Sequence, residues 1–196
     1  FKLLSNRPKF LVGAGGYICG PTLLAAYLQK IPVYIIEQNA VMGVTNKILS
    51  KFAKKIFINF EDTKGLENNS KTIVSGNPIR SKIQFSKQII NPDEINILVF
   101  GGSLGALQIN EAIHELIKME PSKKISIKHQ VGKGNVLENS DKLTDYTYEQ
   151  VEYIENMEDA YNWCNIIISR AGASSVSELK IVAKPCLLIP YPAATD

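Results

Sequence analysis

The sequence predicts an α/β fold built on parallel sheets. Short apolar and β-branched runs alternate with segments of helical period along the 196 residues, and this alternation is typical of βα units. Three of the apolar runs lead into a turn of small residues and then into a helical pattern, at "VGAGGYICGP", "VFGGSLGA" and "SRAGASSVSEL". Turns of this kind follow the carboxyl ends of parallel strands, where α/β proteins bind their ligands.

The order of the elements indicates two lobes. Strands are predicted near residues 9–13, 32–36, 55–60, 72–75, 95–100, 125–130, 165–169 and 186–189, and helices near residues 21–29, 44–53, 104–118, 157–163 and 175–183. Pro21 suits the opening turn of the first helix, where its missing N–H costs no hydrogen bond. The stretch from 75 to 94 is mostly polar and carries two prolines. It therefore predicts a boundary between a lobe of residues 1–80 and a lobe of residues 81–196.

Composition excludes several classes of protein. A hydrophobic content of 45% with 21% charged residues fits a globular protein with a core of its own. The net charge of +3 is too small to indicate a nucleic-acid partner. The cysteines Cys19, Cys164 and Cys186 are widely spaced in apolar segments, so we expect reduced thiols, and no metal site or cofactor is predicted. No apolar run is long enough to span a bilayer.

The turn "VFGGSLGA" indicates a phosphate site. A buried strand that ends in Gly101 and Gly102 and is followed by Ser103, Gly105 and a helix exposes backbone N–H groups at the positive helix end. The turn has neither the Walker pattern nor the GxGxxG order of nicotinamide-binding folds. The alternative interpretation is a tight strand-to-helix turn without a ligand. A second glycine turn in the first lobe suggests a ligand held across a cleft.

The third small-residue turn leaves two interpretations open. Ser175 and Glu178 match a capping box, in which their side chains satisfy N–H groups of the helix itself. Alternatively, the Glu178 carboxylate binds the hydroxyls of a ribose, as acidic residues do in nucleotide sites.

Other polar residues give weaker indications. Residues 37–39 follow a strand, and the amide of Asn39 could bind sugar hydroxyls or could form a turn. Arg80 could clamp a diphosphate or simply face solvent. His114 and His129 fit structural roles better than catalytic ones, since neither belongs to a known catalytic pattern.

Several segments together resemble one family. The stretches "GAGGYICGP", "EQNAVMGVTN", "GNPIR", "VFGGSLGA", "HQVGKG", "YIENM" and "SRAGASSVSEL" occur in the order found in the MurG family of bacterial glycosyltransferases. The resemblance implies the GT-B architecture of two Rossmann-like lobes with parallel sheets. It also implies transfer of N-acetylglucosamine from UDP-N-acetylglucosamine to lipid I, giving lipid II in peptidoglycan synthesis. The family works as a peripheral protein at the cytoplasmic face of the bacterial inner membrane.

The resemblance also assigns roles to residues of the donor site. The positions that match the family's UDP-sugar contacts are Asn39, Arg80, Ser103, Ile154, Ala173, Ser174, Ser175 and Glu178. Ser103 and its glycine turn would contact the diphosphate. The backbone of Ile154 would meet the uracil edge, with Tyr153 and Met157 beside the base. Residues 173–178 would close on ribose and phosphate.

On the acceptor side the match is incomplete. Gly15, Gly16 and Tyr17 would face the diphosphate of the acceptor. The family's "GGTGGH"-like loop has no counterpart here, Ile36 replaces a frequent histidine, and Leu104 replaces a frequent glutamine. The chain begins with Phe1 and ends just after a strand-like run. We therefore expect an incomplete amino-terminal lobe and truncation at both ends, and the catalytic base stays unassigned.

Three functions are compatible with these observations. The first is an inverting displacement at the anomeric carbon, with UDP as the leaving group and a base that removes the proton of the acceptor hydroxyl. The second is a non-catalytic remnant that at most binds the UDP-sugar. The third is a UDP-sugar epimerase of the same architecture, which requires a set of histidine and carboxylate side chains that the sequence does not reveal.

Overall fold

The described chain forms two compact units. The structure is a computed structural model, and it describes residues 7–66, 70–84, 94–119, 124–136 and 146–192. The first unit ends at Pro78 and the second begins at Ile79. The predicted boundary follows Arg80, so the structure places this arginine in the second unit instead of the first.

The first unit holds a parallel sheet of four strands in the order β1-β2-β3-β4. Its strands are β1 (Leu11–Gly13), β2 (Val33–Glu37), β3 (Lys55–Ile58) and β4 (Thr72–Val74), and its helices are α1 (Cys19–Leu28) and α2 (Val44–Leu49). Val33 and Ile35 of β2 are buried and alternate with half-buried neighbours, as the period of a strand requires. Leu23 and Ala26 of α1 join the same core.

The second unit holds a parallel sheet of five strands in the order β7-β6-β5-β8-β9. Its strands are β5 (Glu94–Phe100), β6 (Lys124–Gln130), β7 (Tyr146–Val151), β8 (Ile166–Arg170) and β9 (Cys186–Ile189), and its helices are α3 (Leu107–Leu116), α4 (Met157–Trp163) and α5 (Ala173–Val182).

Strand β5 is buried on both faces because it lies in the middle of this sheet. Leu98 and Phe100 contribute to a core that includes residues of α4 and α5. Val99 points to the opposite face, where Ile109 and Ile113 of α3 pack. The continuous apolar run "ILVF" is what a parallel strand covered on both faces requires.

The structure confirms the predicted α/β class with parallel sheets and differs from the sequence prediction in detail. Strand β7 was not predicted, because its sequence "YTYEQV" is largely polar and it lies at the sheet edge. Helix α3 begins at Leu107, not near residue 104, because Gly102 and Gly105 adopt positive φ angles. Helix α2 ends at Leu49, and α5 begins at Ala173.

The turn after β5 packs directly against the turn after β6, backbone to backbone. A Cβ atom on Gly105 would lie 1.9 Å from the carbonyl oxygen of Val131, and one on Gly132 would lie 2.3 Å from the carbonyl oxygen of Leu104. The side-chain amide of Asn110 donates to the same Val131 oxygen at 2.9 Å. No side chain fits between the two turns, so both positions require glycine.

We predict that Gly105→Ala destabilises the protein far more than Gly134→Ala. Both glycines have a positive φ, of 77° and 74°, but a Cβ on Gly134 meets nothing within 4 Å. Each alanine costs roughly 1–2 kcal/mol for its backbone conformation, and only Gly105→Ala adds the clash, which we expect to cost at least about 2 kcal/mol more. Denaturant unfolding of both variants measures the difference. Equal losses of stability would contradict the close packing of the turns.

His129, near the end of β6, is fully buried. Its Nδ1 lies 2.9 Å from the hydroxyl oxygen of Tyr148, and burial lowers the pKa of His129 to about 4. The neutral ring is therefore the form that the folded protein accommodates, as the sequence interpretation of a structural histidine implies.

The buried histidine predicts a loss of stability in acid. The unfolded chain binds a proton at His129 near pH 6.5, whereas the folded chain does so only near pH 4. The stabilisation is therefore complete above about pH 6.5 and is lost as the pH falls toward 4, by about 3 kcal/mol. The variant His129→Gln lacks this contribution, so its free energy of unfolding should fall less over the same range. Parallel curves for the two proteins would show that His129 titrates normally.

Candidate functional site

The turn of residues 101–105 lies at the carboxyl end of β5 and leads into α3. Gly102 has a φ of 94°, and its carbonyl oxygen accepts a hydrogen bond from the Gly105 amide at 3.1 Å. Ala106 is the N-cap of α3 and provides no side-chain hydrogen bond. Ser103 is exposed, and neither its amide nor its hydroxyl has a partner among the residues that the structure describes. The turn thus presents unused donors next to a helix start, which suits an anion.

A buried glutamine ties this turn to the segment after β7. The side-chain nitrogen of Gln130 donates to the carbonyl oxygen of Gly102 at 2.8 Å, and its side-chain oxygen accepts from the amide of Ile154 at 2.8 Å. The Ile154 amide is therefore occupied within the protein. Of the two residues predicted beside the base, Tyr153 is exposed. Met157 is instead buried in the core, so its side chain does not line an open surface.

Glu178, in α5, is held by two residues of the same unit. The hydroxyl of Tyr161 donates to Glu178 Oε2 at 2.9 Å, and Arg80 Nε lies 3.9 Å from Oε1. Burial, together with the Glu178 carboxylate, raises the pKa of Tyr161 above its usual range, so the phenol stays protonated and donates. The side chain of Glu178 is 16% exposed. The carboxylate is thus oriented on a side chain that is not fully buried.

The capping-box interpretation of Ser175 and Glu178 is wrong. Helix α5 begins at Ala173, its N-cap is Gly172, and no side chain caps it. Glu178 therefore lies in the second turn, too far along the helix to bond the N-cap amide. Ala173, Ser174 and Ser175 form the first turn, and Ser174 is exposed.

In the first unit, a buried carboxylate organises the predicted amide segment. Glu37 is only 3% exposed. Its Oε1 accepts from the amide of Asn39 at 3.1 Å, and its Oε2 accepts from the amide of Gly43 at 3.1 Å and from the side chain of Asn46 at 2.8 Å. All these donors belong to the loop 38–43 or to α2. Glu37 is thus a structural residue that shapes the loop bearing Asn39.

The glycine turn of the first unit rests on the same network. A Cβ on Gly15 would lie 3.4 Å from Asn46 Nδ2, while Gly16 meets nothing within 4 Å. Tyr17 is 96% exposed. The structure therefore brings the predicted acceptor residue Gly15 next to the side chain that also binds Glu37, while the position of Gly16 is open.

Exposed apolar side chains lie at the start of α1 and along the short helix α2. We call Tyr17, Ile18, Val44 and Ile48 the helix-start patch, since all four are exposed. Gly20 of α1 lies against Thr45 of α2, so the two helix starts are neighbours.

The described residues contain neither a cluster of metal-ligating side chains nor a membrane-spanning helix. No group of three or more His, Cys, Asp or Glu side chains in those residues could hold a metal ion. None of the helices described is long and apolar enough to cross a membrane.

Sequence reasoning missed Gln130, Tyr161 and Asn46 as site residues. Each acts through a side-chain hydrogen bond to a residue outside its own element, at Ile154, Glu178 and Glu37, which lie 24, 17 and 9 residues away in the sequence. The signal available for Gln130 was its place at the end of a strand, just before the glycine turn "VGKG". Tyr161 and Asn46 lie in helices and carry no comparable signal.

Comparison with known proteins identifies relatives of the chain. The model of the glycosyltransferase family 28 C-terminal domain matches residues 96–196, and that of the family 28 N-terminal domain matches residues 1–58. The UDP-N-acetylglucosamine--N-acetylmuramyl-(pentapeptide) pyrophosphoryl-undecaprenol N-acetylglucosamine transferase of Geobacter sulfurreducens is 38% identical over 199 residues, and the protein of the same name from Thermodesulfovibrio yellowstonii is 40% identical over 201 residues. Each alignment covers 97% of this chain but 55% of the relative.

A solved structure agrees with these relatives. The crystal structure of MurG from Acinetobacter baumannii superposes with a TM-score of 0.76 at 32% identity, covering 100% of this chain and 56% of that protein. The chain thus spans little more than half the length of the proteins it matches. Because the C-terminal domain model alone matches more than half of its residues, the chain belongs to glycosyltransferase family 28, and the resemblance to the MurG family with its GT-B fold is confirmed.

Proposed function

We propose that this chain carries the donor-binding unit, and part of the acceptor-binding unit, of an inverting N-acetylglucosaminyltransferase that converts lipid I to lipid II. The observation that carries the proposal is the arrangement of the second unit, in which an anion-suited turn and an oriented carboxylate follow strands of one sheet. The names of the relatives supply the donor sugar and the lipid-linked acceptor. A UDP-sugar offers what the two features need, namely a diphosphate and a ribose.

The proposed donor contacts follow from charge and hydrogen bonding. The diphosphate becomes more negative as its bond to the anomeric carbon breaks, so donors fixed at the 101–105 turn stabilise the transition state more than the ground state. Ser103 offers its amide and hydroxyl there. The first turn of α5, with Ala173, Ser174 and Ser175, adds helix-start amides.

Glu178 is proposed to accept hydrogen bonds from the ribose hydroxyls. Tyr161 occupies Oε2, and Oε1 has only the distant contact with Arg80, so acceptor capacity remains on the carboxylate. In this arrangement the Arg80 guanidinium lies beside the Glu178 carboxylate and adds positive charge near the proposed nucleotide. Asn39, in the first unit, is proposed to contact the sugar through its amide.

The acceptor side is proposed to include Gly15, Gly16 and Tyr17. In the reaction the acceptor hydroxyl attacks the anomeric carbon, the bond to the diphosphate breaks, UDP leaves, and a base takes the hydroxyl proton. No described residue of the chain is assigned as that base.

We further propose that the helix-start patch contacts the cytoplasmic face of the membrane that holds the lipid acceptor. Its four apolar side chains are exposed, and two of them, Tyr17 and Ile18, belong to or directly follow the proposed acceptor turn. Lys47 and Lys51 are exposed on and just after α2, and cations near an apolar patch favour anionic lipid surfaces.

We predict that Glu178→Ala lowers the affinity for UDP by about tenfold, because hydrogen bonds to a charged group are lost. The same variant should bind 2′,3′-dideoxy-UDP as the unmodified chain does, since that ligand lacks the hydroxyls.

We predict that Ser103→Ala lowers the affinities for UDP and for 2′,3′-dideoxy-UDP and leaves the affinity for uridine unchanged. Calorimetry measures these affinities, with Glu111→Ala, at an exposed position of α3, as a matched control. Unchanged UDP affinity in both variants, or no UDP binding by the unmodified chain, would refute the donor site.

We predict that the double variant Ile18→Glu, Ile48→Glu binds vesicles of phosphatidylglycerol at least about threefold more weakly than the unmodified chain. Carboxylates would replace apolar contact by repulsion from the anionic surface. Cosedimentation measures the bound fraction. The control is Leu187→Glu, which changes an exposed apolar residue of the second unit. This variant should bind the vesicles as the unmodified chain does. Equal effects of both changes would argue against a specific membrane face.

A further inference from the structure

Gln130 bonds two separate loop segments of the second unit through one side chain. It is the last residue of β6, it is 4% exposed, and β6 lies between β5 and β7 in the sheet. The segments that follow those two neighbouring strands are the 101–105 turn and the segment around Ile154. One side-chain amide therefore reaches both segments that flank it, each through a hydrogen bond of 2.8 Å.

The amide orientation is fixed by its partners. The carbonyl oxygen of Gly102 can only accept a hydrogen bond, and the amide of Ile154 can only donate one. The side-chain nitrogen must therefore face Gly102, and the side-chain oxygen must face Ile154. Glutamate cannot donate to Gly102 while ionised, and methionine of similar size supplies neither bond.

The bond to Gly102 sets the direction of the next amide. In a trans peptide the C=O of one residue and the N–H of the following residue point in opposite directions. Because Gln130 and the Gly105 amide hold the Gly102 oxygen inward, the Ser103 N–H points the opposite way. The group presented outward at the turn is then a donor, which a phosphate requires, and the carbonyl that would repel a phosphate is turned away.

The bond to Ile154 has the converse effect. The Ile154 N–H faces Gln130, so the carbonyl of Tyr153, in the same peptide unit, points away from Gln130. The segment thus presents an acceptor next to the exposed ring of Tyr153. An acceptor pairs with the N3–H of uracil, whereas the unprotonated N3 of cytosine would meet it lone pair to lone pair.

We propose that Gln130 is a positioning residue that fixes the polarity of both peptide units, a donor toward the diphosphate and an acceptor toward the base. The inference rests on the proposed function, because it takes UDP as the nucleotide. Gln130 itself touches no part of the ligand. Through its buried side-chain amide, Gln130 holds the 101–105 turn and the segment around Ile154 in fixed positions relative to each other.

The test uses the full chain and three substitutions. Gln130→Met removes both hydrogen bonds, so the affinities for uridine and for pyrophosphate should each fall about fivefold or more. Gln130→Glu keeps an acceptor for Ile154 and loses the donor for Gly102. The affinity for pyrophosphate should therefore fall, while the affinity for uridine should stay unchanged. Gln150→Met makes the same substitution on neighbouring β7 and should leave both affinities unchanged. Calorimetry with uridine, pyrophosphate and UDP measures all three.

Amide hydrogen exchange in the ligand-free proteins separates positioning from the donor site itself. In Gln130→Met, exchange should accelerate at both Ile154 and Gly105. In Gln130→Glu it should accelerate at Gly105 alone. Unchanged exchange at both amides in folded Gln130→Met, or a lower melting temperature with unchanged affinities, would overturn the inference. Failure of the unmodified chain to bind UDP would instead overturn the proposed function, while the exchange data would still decide whether Gln130 holds the two segments.

Discussion

Backbone contact between two neighbouring turns determines the shape of the second unit at the carboxyl edge of its sheet. The turns after β5 and β6 approach so closely that Gly105 and Gly132 each face a carbonyl oxygen of the other turn at a distance no Cβ could tolerate. Asn110 and Asn135 both donate to the Val131 carbonyl at this contact. The 101–105 turn is therefore held by the turn after β6 and by Gln130, and no side chain caps α3. Its remaining donors stay available for an anion because other groups satisfy its acceptors.

Two carboxylates illustrate how similar residues come to serve different purposes. Glu37 receives three hydrogen bonds and is 3% exposed, so its capacity to accept is nearly used up inside the first unit. Glu178 receives one hydrogen bond from Tyr161 and a distant contact from Arg80, and its side chain is 16% exposed. A buried carboxylate must be bonded wherever it lies. Glu178 therefore retains more acceptor capacity than Glu37, which is the property that its proposed role as a ribose ligand requires.

Periodicity was sufficient to predict eight of the nine described strands, because buried parallel strands need continuous apolar runs, as in β5 and β8. It failed for β7, whose polar side chains suit a sheet edge and lack that signal. The glycine turns were recognisable from local sequence, whereas Glu178 was predicted as a donor-site residue only from the family resemblance. Gln130 and Tyr161 were not recognisable, because their importance lies in bonds to residues such as Ile154 and Glu178 that only the fold brings near. The capping-box error has the same origin, since helix α5 begins two residues earlier than its sequence suggests.

Glycine serves two opposite purposes within a single turn, and the sequence cannot separate them. At Gly105 the missing Cβ makes room for the protein itself, since the Val131 carbonyl fills that space. At Gly102 a Cβ would meet nothing within 4 Å, so this side of the turn is open. Ser103 and Leu104 are exposed beside it. The side of the turn at Gly105 is thus filled by the neighbouring turn, whereas among the described residues the side of Gly102 and Ser103 is open. Under the role that we propose for Gln130, the Ser103 amide points to this same side, so packing and polarity would select the same direction of approach.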